Sequence, residues 1–204
     1  MDTRIEAWLA TFAEIGIPAE RDLVARLIGA DGKRLAREVA EIAGRQLSAD
    51  RAEAIDRRSG EIYDRLNNNP RPLPGARSLL LELGGGRLPW AVATSSRAEQ
   101  VGVSIAALRL PAPPLIVDGS HVEHAKPAPD LLLLAADRLG VPARECWYLG
   151  DATWDMRAAN AAGMFGIGVP YGAVSRRTLL DSGARAVTTL RSLAGDLHRR
   201  GLLA

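Results

Sequence analysis

The stretch "ECWYLGDATWDMRAANAAGM", residues 145–164, holds an apolar run that stops at Gly150, then Asp151 and, four residues on, Asp155. Carboxylates at this spacing, the first at a strand end, lie at the mouth of a sheet. Oxygen donors of this kind suit Mg2+, which keeps several waters and takes one or two carboxylates. A helix cap followed by a first-turn charge is the structural alternative. A second stretch, Thr94-Ser95-Ser96, closes the apolar run "LPWAVA" with hydroxyls ahead of a helical segment. Unpaired N–H groups at a helix start bind anions, although Ser and Thr are also ordinary caps. The third, "HVEHAKPAPD" at 121–130, sets Lys126 in a loop stiffened by Pro127 and Pro129. A rigidly presented ammonium suits phosphate or carboxylate; a solvated surface lysine is the alternative. His121 and His124 have no Cys/His framework around them and read as loop histidines. Together the three stretches offer hydroxyls and amides, an ammonium and an acid pair, a set complementary to a phosphoryl group and its cation.

The elements that must position them change character along the chain. Up to about residue 70 the pattern is helical only. Ile5, Trp8, Leu9, Phe12 and Ile15 share one face, Gly16 and Pro18 stop that helix, Leu23 to Ile28 make a second, Leu35, Val39 and Ile42 a third, and Ser48 or Asp50 caps a fourth running to about Leu66. The turn-rich "NNNPRPLPG", 67–75, reads as a linker. Beyond it helices alternate with short apolar runs: "LPWAVATSS", "LIVDG", "CWYLGD", "MFGIGV" and "AVTTL". That order predicts an α/β unit with a parallel sheet, residues 71–204, behind a small four-helix unit, residues 1–70. Ligands in such sheets bind beyond the carboxyl ends of the strands, where all three stretches fall.

Composition narrows the classes. A chain of 204 residues, 47% hydrophobic and 25% charged, fits a globular protein with one core and a small attached unit. A formal net charge of +2 gives no case for a nucleic-acid partner, and no apolar run approaches membrane-spanning length. One cysteine suits a reducing cytoplasm. Of the 26 basic residues only Lys33 and Lys126 are lysines, so each marks a position where a compact ammonium replaces the usual guanidinium.

With these residues in place the sequence resembles the haloacid dehalogenase superfamily, in the helical-cap branch of phosphoglycolate phosphatase and beta-phosphoglucomutase-like members. "AVATSS", "KPAPD" and "YLGDATWDMRAANAAGM" resemble its second, third and fourth motifs in order, and "AWLATFAEIGIP" with "RLIGADGKRL" resembles its first cap helices. The resemblance implies a Rossmann-like core with a four-helix cap, and a Mg2+-dependent phosphatase acting on a small phosphorylated metabolite through an aspartyl-phosphate. It implies that Thr94 and the Ser95 backbone bind the phosphoryl group and that Lys126 neutralises its oxygens. Asp151 would coordinate Mg2+, and Asp155 would support the metal shell or orient Lys126. Lys33 and Arg34, in the cap, would contact the substrate's leaving group. Trp154 would pack against the cap or cover the sheet mouth.

The family's first motif, Asp-x-Asp-Gly-Thr with the nucleophile, is not found in these residues; "GADGKRL" at 29–35 has no strand before it. The chain opens "MDTRIEAW", where Asp2 and Thr3 match the end of the phrase that follows that motif. The expectation is a start assigned too far downstream, with about 10–15 residues missing, one strand and its motif. In the family that strand lies between those carrying Thr94 and Asp151, so its loss predicts a gap or a closed-up sheet there and an inactive chain. A non-catalytic phosphate-binding or regulatory protein is the alternative from another class, and a phosphomutase or a phosphonate hydrolase using Lys33 as a Schiff base is a third. An in-frame Asp-x-Asp motif in the coding sequence upstream supports the downstream start; a stop codon immediately before residue 1 overturns it.

Overall fold

The computed structural model describes residues 2–86, 88–172 and 174–203. Met1, on which the expectation about the start turns, lies outside them. Two compact units divide between Asn68 and Asn69.

The first unit is helical. α1 (Asp2–Glu14) buries Ile5, Trp8 and Phe12 along one face, with the Trp8 and Phe12 rings stacked at 5.6 Å. Gly16, at φ 63°, takes the left-handed conformation that ends it. α2 (Arg21–Leu27) and α3 (Gly32–Ile42) follow, the latter capped by the Asp31 side chain. α4 (Ala49–Leu66) begins where Ser48 accepts a hydrogen bond from the Arg51 N–H, and packs on α1 and α3. The Arg4 guanidinium, 3.6 Å from the Tyr63 ring centroid, ties α1 to α4; burial lowers its pKa against the pull of Tyr63 and Asp56.

The second unit alternates helix and strand: α5 (Ala76–Gly85), β1 (Val92–Thr94), α6 (Ala98–Ala107), β2 (Ile116–Asp118), α7 (Asp130–Leu139), β3 (Trp147–Gly150), α8 (Thr153–Ala161), β4 (Phe165–Gly168), α9 (Arg176–Asp181), β5 (Ala186–Val187) and α10 (Leu190–Arg199). All pairings are parallel, but they form two sheets: β1 with β2, and β3 with β4 and β5. No ladder joins β1 to β3 among the described residues. Of the two outcomes expected between the strands carrying Thr94 and Asp151, a closed-up sheet joining β1 to β3 is not seen among the described residues. Parallel strands are ordinarily covered on both faces; here every residue of β1 is only half-buried, as are Tyr148 and Leu149 of β3, whereas Gly166 to Gly168 of β4 are buried.

One apolar cluster bridges the sheets. Val117 of β2, Leu131, Leu132, Ala135 and Ala136 of α7, and Ala158 and Ala159 of α8 are buried together, with Ala93 and Tyr148 against them. A second cluster joins Leu79 of α5, Ile167 of β4 and Leu190, Leu193 and Leu197 of α10. That cluster explains where the sequence expectation fails at the end of the chain. "AVTTL" is a strand only through Val187, because Thr189 caps α10 by accepting from the Ser192 N–H, and leucines three and four apart favour a helix there.

Leu131, with no exposed surface, is the test of the bridging cluster. Leu131→Ala costs about 2–5 kcal/mol in urea unfolding, with an unchanged m-value.

Candidate functional site

The spacing of Asp151 and Asp155 has a local cause. β3 ends at Gly150, and α8 starts at Thr153 after one turn. Asp155, on the first turn of α8, folds back so that its Oδ2 accepts from the backbone N–H groups of Asp151, at 3.1 Å, and Ala152, at 3.0 Å. Those N–H groups have no partner of their own at a helix start. Gly150 makes the approach possible: a Cβ there would stand 2.3 Å from the Asp155 Cβ.

The other Asp155 oxygen gathers the site. Oδ1 accepts from Lys126 Nζ at 2.7 Å and from the Tyr148 hydroxyl at 3.0 Å, and Lys126 Nζ also donates to the Tyr148 oxygen at 3.3 Å. Both charges are buried, Lys126 at 6% and Asp155 at 4% exposure. Burial by itself lowers the Lys126 pKa, but the charge of Asp155 beside it, and then Tyr148, outweigh burial and hold the ammonium well above its ordinary range. Its contribution to stability is present in full below the ordinary lysine value of 10.5 and fades only above it, so the ammonium persists through neutral pH. Tyr148 is raised by burial and then by the Asp155 charge, which keeps its proton on the hydroxyl.

Asp151 differs. Its pKa is raised by burial first and by the Asp155 charge second, with Lys126 pulling the other way. The Gly172 backbone closes over it; a Cβ on Gly172 would be 2.9 Å from Asp151 Oδ2. The fold thus disfavours the charged form, a cost that develops as pH rises through the ordinary range near 3.8 and that a neighbouring cation removes.

Asp151 fits a divalent cation: a desolvated carboxylate with a second negative charge near it. Asp155 does not fit as a direct ligand, because two donors on each oxygen leave it no lone pair for a cation. Of the two roles expected of it, orienting Lys126 corresponds to the Oδ1 bond, and support of Asp151 to the Oδ2 bond from the Asp151 N–H. Among the described residues no group of three or more His, Cys, Asp or Glu side chains is set to hold a metal.

Thr94 and Ser95 form another group, at the ends of β1 and β2. Thr94 pairs in register with Asp118, and its Oγ1 accepts from the Ser96 N–H at 3.2 Å. α6 begins at Ala98, with the Arg97 N–H held by Gln100, so Ser95 and Ser96 lie before the cap. Lys33 and Arg34 are engaged inside the helical unit: Lys33 Nζ is 3.8 Å from Glu53, and Arg34 pairs with Glu38 at 2.6 Å. His124 lies 3.1 Å from Asp130 on the surface. Trp154 is buried at 6% exposure, with the Arg157 guanidinium 5.1 Å from its ring. Tyr148 is the residue that sequence reasoning missed. Its signal was a hydroxyl inside the apolar run "CWYLG", two positions before the glycine.

The match to the haloacid dehalogenase-like hydrolase model spans residues 1–169, and the chain belongs to that family. Fructose-1-phosphate phosphatase YqaB of Escherichia coli K12 is 30% identical over 168 residues, covering 82% of this chain and 87% of that protein. Among solved structures, a hydrolase from Pseudomonas syringae superposes with a TM-score of 0.90 at 31% identity, over 97% of this chain and 91% of that one. The beta-phosphoglucomutase of Clostridium difficile shares the fold at a TM-score of 0.82 and 20% identity, over 97% of this chain and 88% of that one. The α/β class and the family resemblance read from the sequence are borne out.

The Lys126–Asp155 pair is open to a thermodynamic cycle. Lys126→Met and Asp155→Asn each cost about 3–5 kcal/mol by stranding a buried partner. The double variant loses less than the sum of the two, by about 1–3 kcal/mol, in denaturant unfolding.

Proposed function

We propose that this chain carries most of the site of a cytoplasmic Mg2+-dependent phosphatase that hydrolyses a small organic phosphate through an aspartyl-phosphate. The observation that supports this best is the Lys126–Tyr148–Asp155 group beside the half-buried Asp151, all at the carboxyl end of β3. In this reading residues 71–204 are the core and residues 1–70 a cap that selects the substrate. Thr94 Oγ1 and the Ser95 backbone hold the phosphoryl oxygens. Lys126 neutralises charge on the phosphoryl group and the nucleophile, kept cationic and in place by Asp155 and Tyr148. Asp151 holds Mg2+, which when bound supplies charge stabilisation for the phosphoryl oxygens.

The nucleophile is not among residues 1–204. The reading requires a further parallel strand ending in the Asp-x-Asp motif, and it would pair with β1 and β3, which share no ladder among the described residues. A chain limited to these 204 residues is therefore proposed to be inactive. A non-catalytic phosphate-binding protein shares the same pocket without that strand.

Phosphate release from an aryl phosphate separates the two. With Mg2+ present, residues 1–204 release none, and a chain begun at the next in-frame start upstream turns over. Silence from both, with both folded, rejects the phosphatase in favour of the binding protein.

The cation role is read in the 204-residue chain itself. Mg2+ at 100 times its Kd stabilises the protein by about 2.7 kcal/mol, seen as a higher Tm. Asp151→Asn abolishes that rise, and in metal-free buffer it melts above the wild type because the buried charge is gone. A Mg2+ shift that persists in Asp151→Asn removes the residue from the metal site.

A further inference from the structure

The side of β2 that faces away from β1 is closed by side chains, a feature that phosphoryl transfer does not use. β2 pairs only with β1 among the described residues. In that parallel ladder the Val92 N–H donates to the Leu115 carbonyl at 2.8 Å, and Val92 stands in register with Ile116. Successive residues of an extended strand send their backbone groups to opposite sides. Leu115 and Val117 therefore serve β1, while Ile116 and Asp118 turn their N–H and C=O groups outward. By the same alternation Pro114 comes one step earlier on the outward side, where a proline has no N–H to offer.

Two of the outward groups are met by side chains. Arg138 Nη1, from the last turn of α7, donates to the Ile116 carbonyl at 3.5 Å. His121 Nδ1 accepts the Asp118 N–H at 3.2 Å. The ring is brought back to the strand by one tight turn over residues 119–121. The Asp118 side chain, 3% exposed, holds that turn: its Oδ1 accepts from the Ser120 N–H at 2.8 Å and from the Ser120 hydroxyl at 2.6 Å. Gly119 lets the turn lie against Ser95, since a Cβ there would be 2.5 Å from the Ser95 carbonyl oxygen. The open side of an edge strand is a template for another chain, and short strands, prolines and charged side chains blunt it. β2 has three residues, Pro114 before it, and a guanidinium and an imidazole on its open side.

We propose that His121 and Arg138 guard the outer edge of β2 against pairing with the same edge of a second copy of this chain. The edge is self-complementary. Two copies turned antiparallel about Ile116 would exchange the Ile116 N–H and C=O groups with each other, and each Asp118 N–H would reach the Pro114 carbonyl of the other copy. The imidazole and the guanidinium occupy the places that the incoming carbonyl and N–H would take. Asp118 and Ser120 are positioning residues for the imidazole.

The test uses the 204-residue chain labelled with 15N. In the wild type a 15N–15N coupling across the hydrogen bond links the Asp118 amide to His121 Nδ1. The double variant His121→Ala/Arg138→Ala opens the edge. Its self-association in sedimentation equilibrium is tighter than that of the wild type by about tenfold or more, and its Ile116 and Asp118 amides gain protection from hydrogen exchange as concentration rises. His121→Asn, whose amide oxygen accepts the Asp118 N–H in place of the ring, associates as the wild type does. Four results overturn the proposal. One is a wild type without the coupling, a reading that needs no variant to fold. The others are a folded double variant that associates no more tightly than the wild type, tighter association that leaves the Ile116 and Asp118 amides exchanging as before, and His121→Asn associating as tightly as the double variant.

Discussion

A carboxylate persists in a buried site only where its charge is neutralised and its lone pairs are filled. Asp155 meets both conditions with donors from three stretches of chain: the backbone at the end of β3, the Tyr148 hydroxyl within that strand, and Lys126 from the loop before α7. The start of α8, the end of β3 and the ammonium are thereby fixed to one another through a single side chain. The absence of a side chain at Gly150 is part of the same device, since Asp155 occupies the space that a Cβ would take. The Gly-Asp-x-x-x-Asp pattern is in this sense a folding requirement before it is a chemical one. Its second aspartate builds the turn that presents the first.

Two aspartates four residues apart are thus driven to opposite conditions. Asp155 is satisfied at every lone pair. Asp151 is burdened by burial and by the charge of its neighbour, with the Gly172 backbone closing over it. Paired groups whose surroundings push them apart divide their tasks. One is spent on structure, while the other is held in a state that a cation would relieve. Lys126 is drawn into the same division. Burial alone would lower its pKa, and the salt bridge that outweighs this also aims it.

What was legible in the sequence follows from how local each feature is. Four helices, a linker and an α/β repeat were readable because periodicity, Ser48 as a cap and Gly16 as a stop act within a few residues. Lys126 stood out because 24 of the 26 basic residues are arginine. The strand residues were harder. β1 spans only Val92–Thr94 of the apolar run "LPWAVATSS", since ladder length depends on the partner strand and not on hydropathy. "AVTTL" read as a strand because β-branched residues dominate it, yet the cluster of Leu190, Leu193 and Leu197 belongs to a helix that begins inside it. Tyr148 was invisible as a site residue because its partners lie 22 residues upstream and seven downstream. His121 and Asp118, by contrast, are local. Their pairing is a side-chain bond to the backbone three residues back, for which the sequence carries no spacing signal of the Cys/His kind.

The division of the strands into two sheets bears on how these pieces act together. α7 and α8 join the sheets through the cluster of Val117, Leu131, Leu132, Ala158 and Ala159, so the two halves are held by side-chain packing with no backbone ladder between β1 and β3 among the described residues. Side-chain packing tolerates small displacements that a hydrogen-bonded ladder forbids. The Thr94–Asp118 end and the Lys126–Asp151 end are each rigid within themselves, the first through Gly119 on Ser95 and the second through Asp155. Among the described residues, that cluster of apolar side chains is what lies between them. A strand paired to both β1 and β3 would turn that packing distance into a fixed register. A phosphoryl group gripped from both ends needs such a register, because electrostatic stabilisation depends on donors placed in advance.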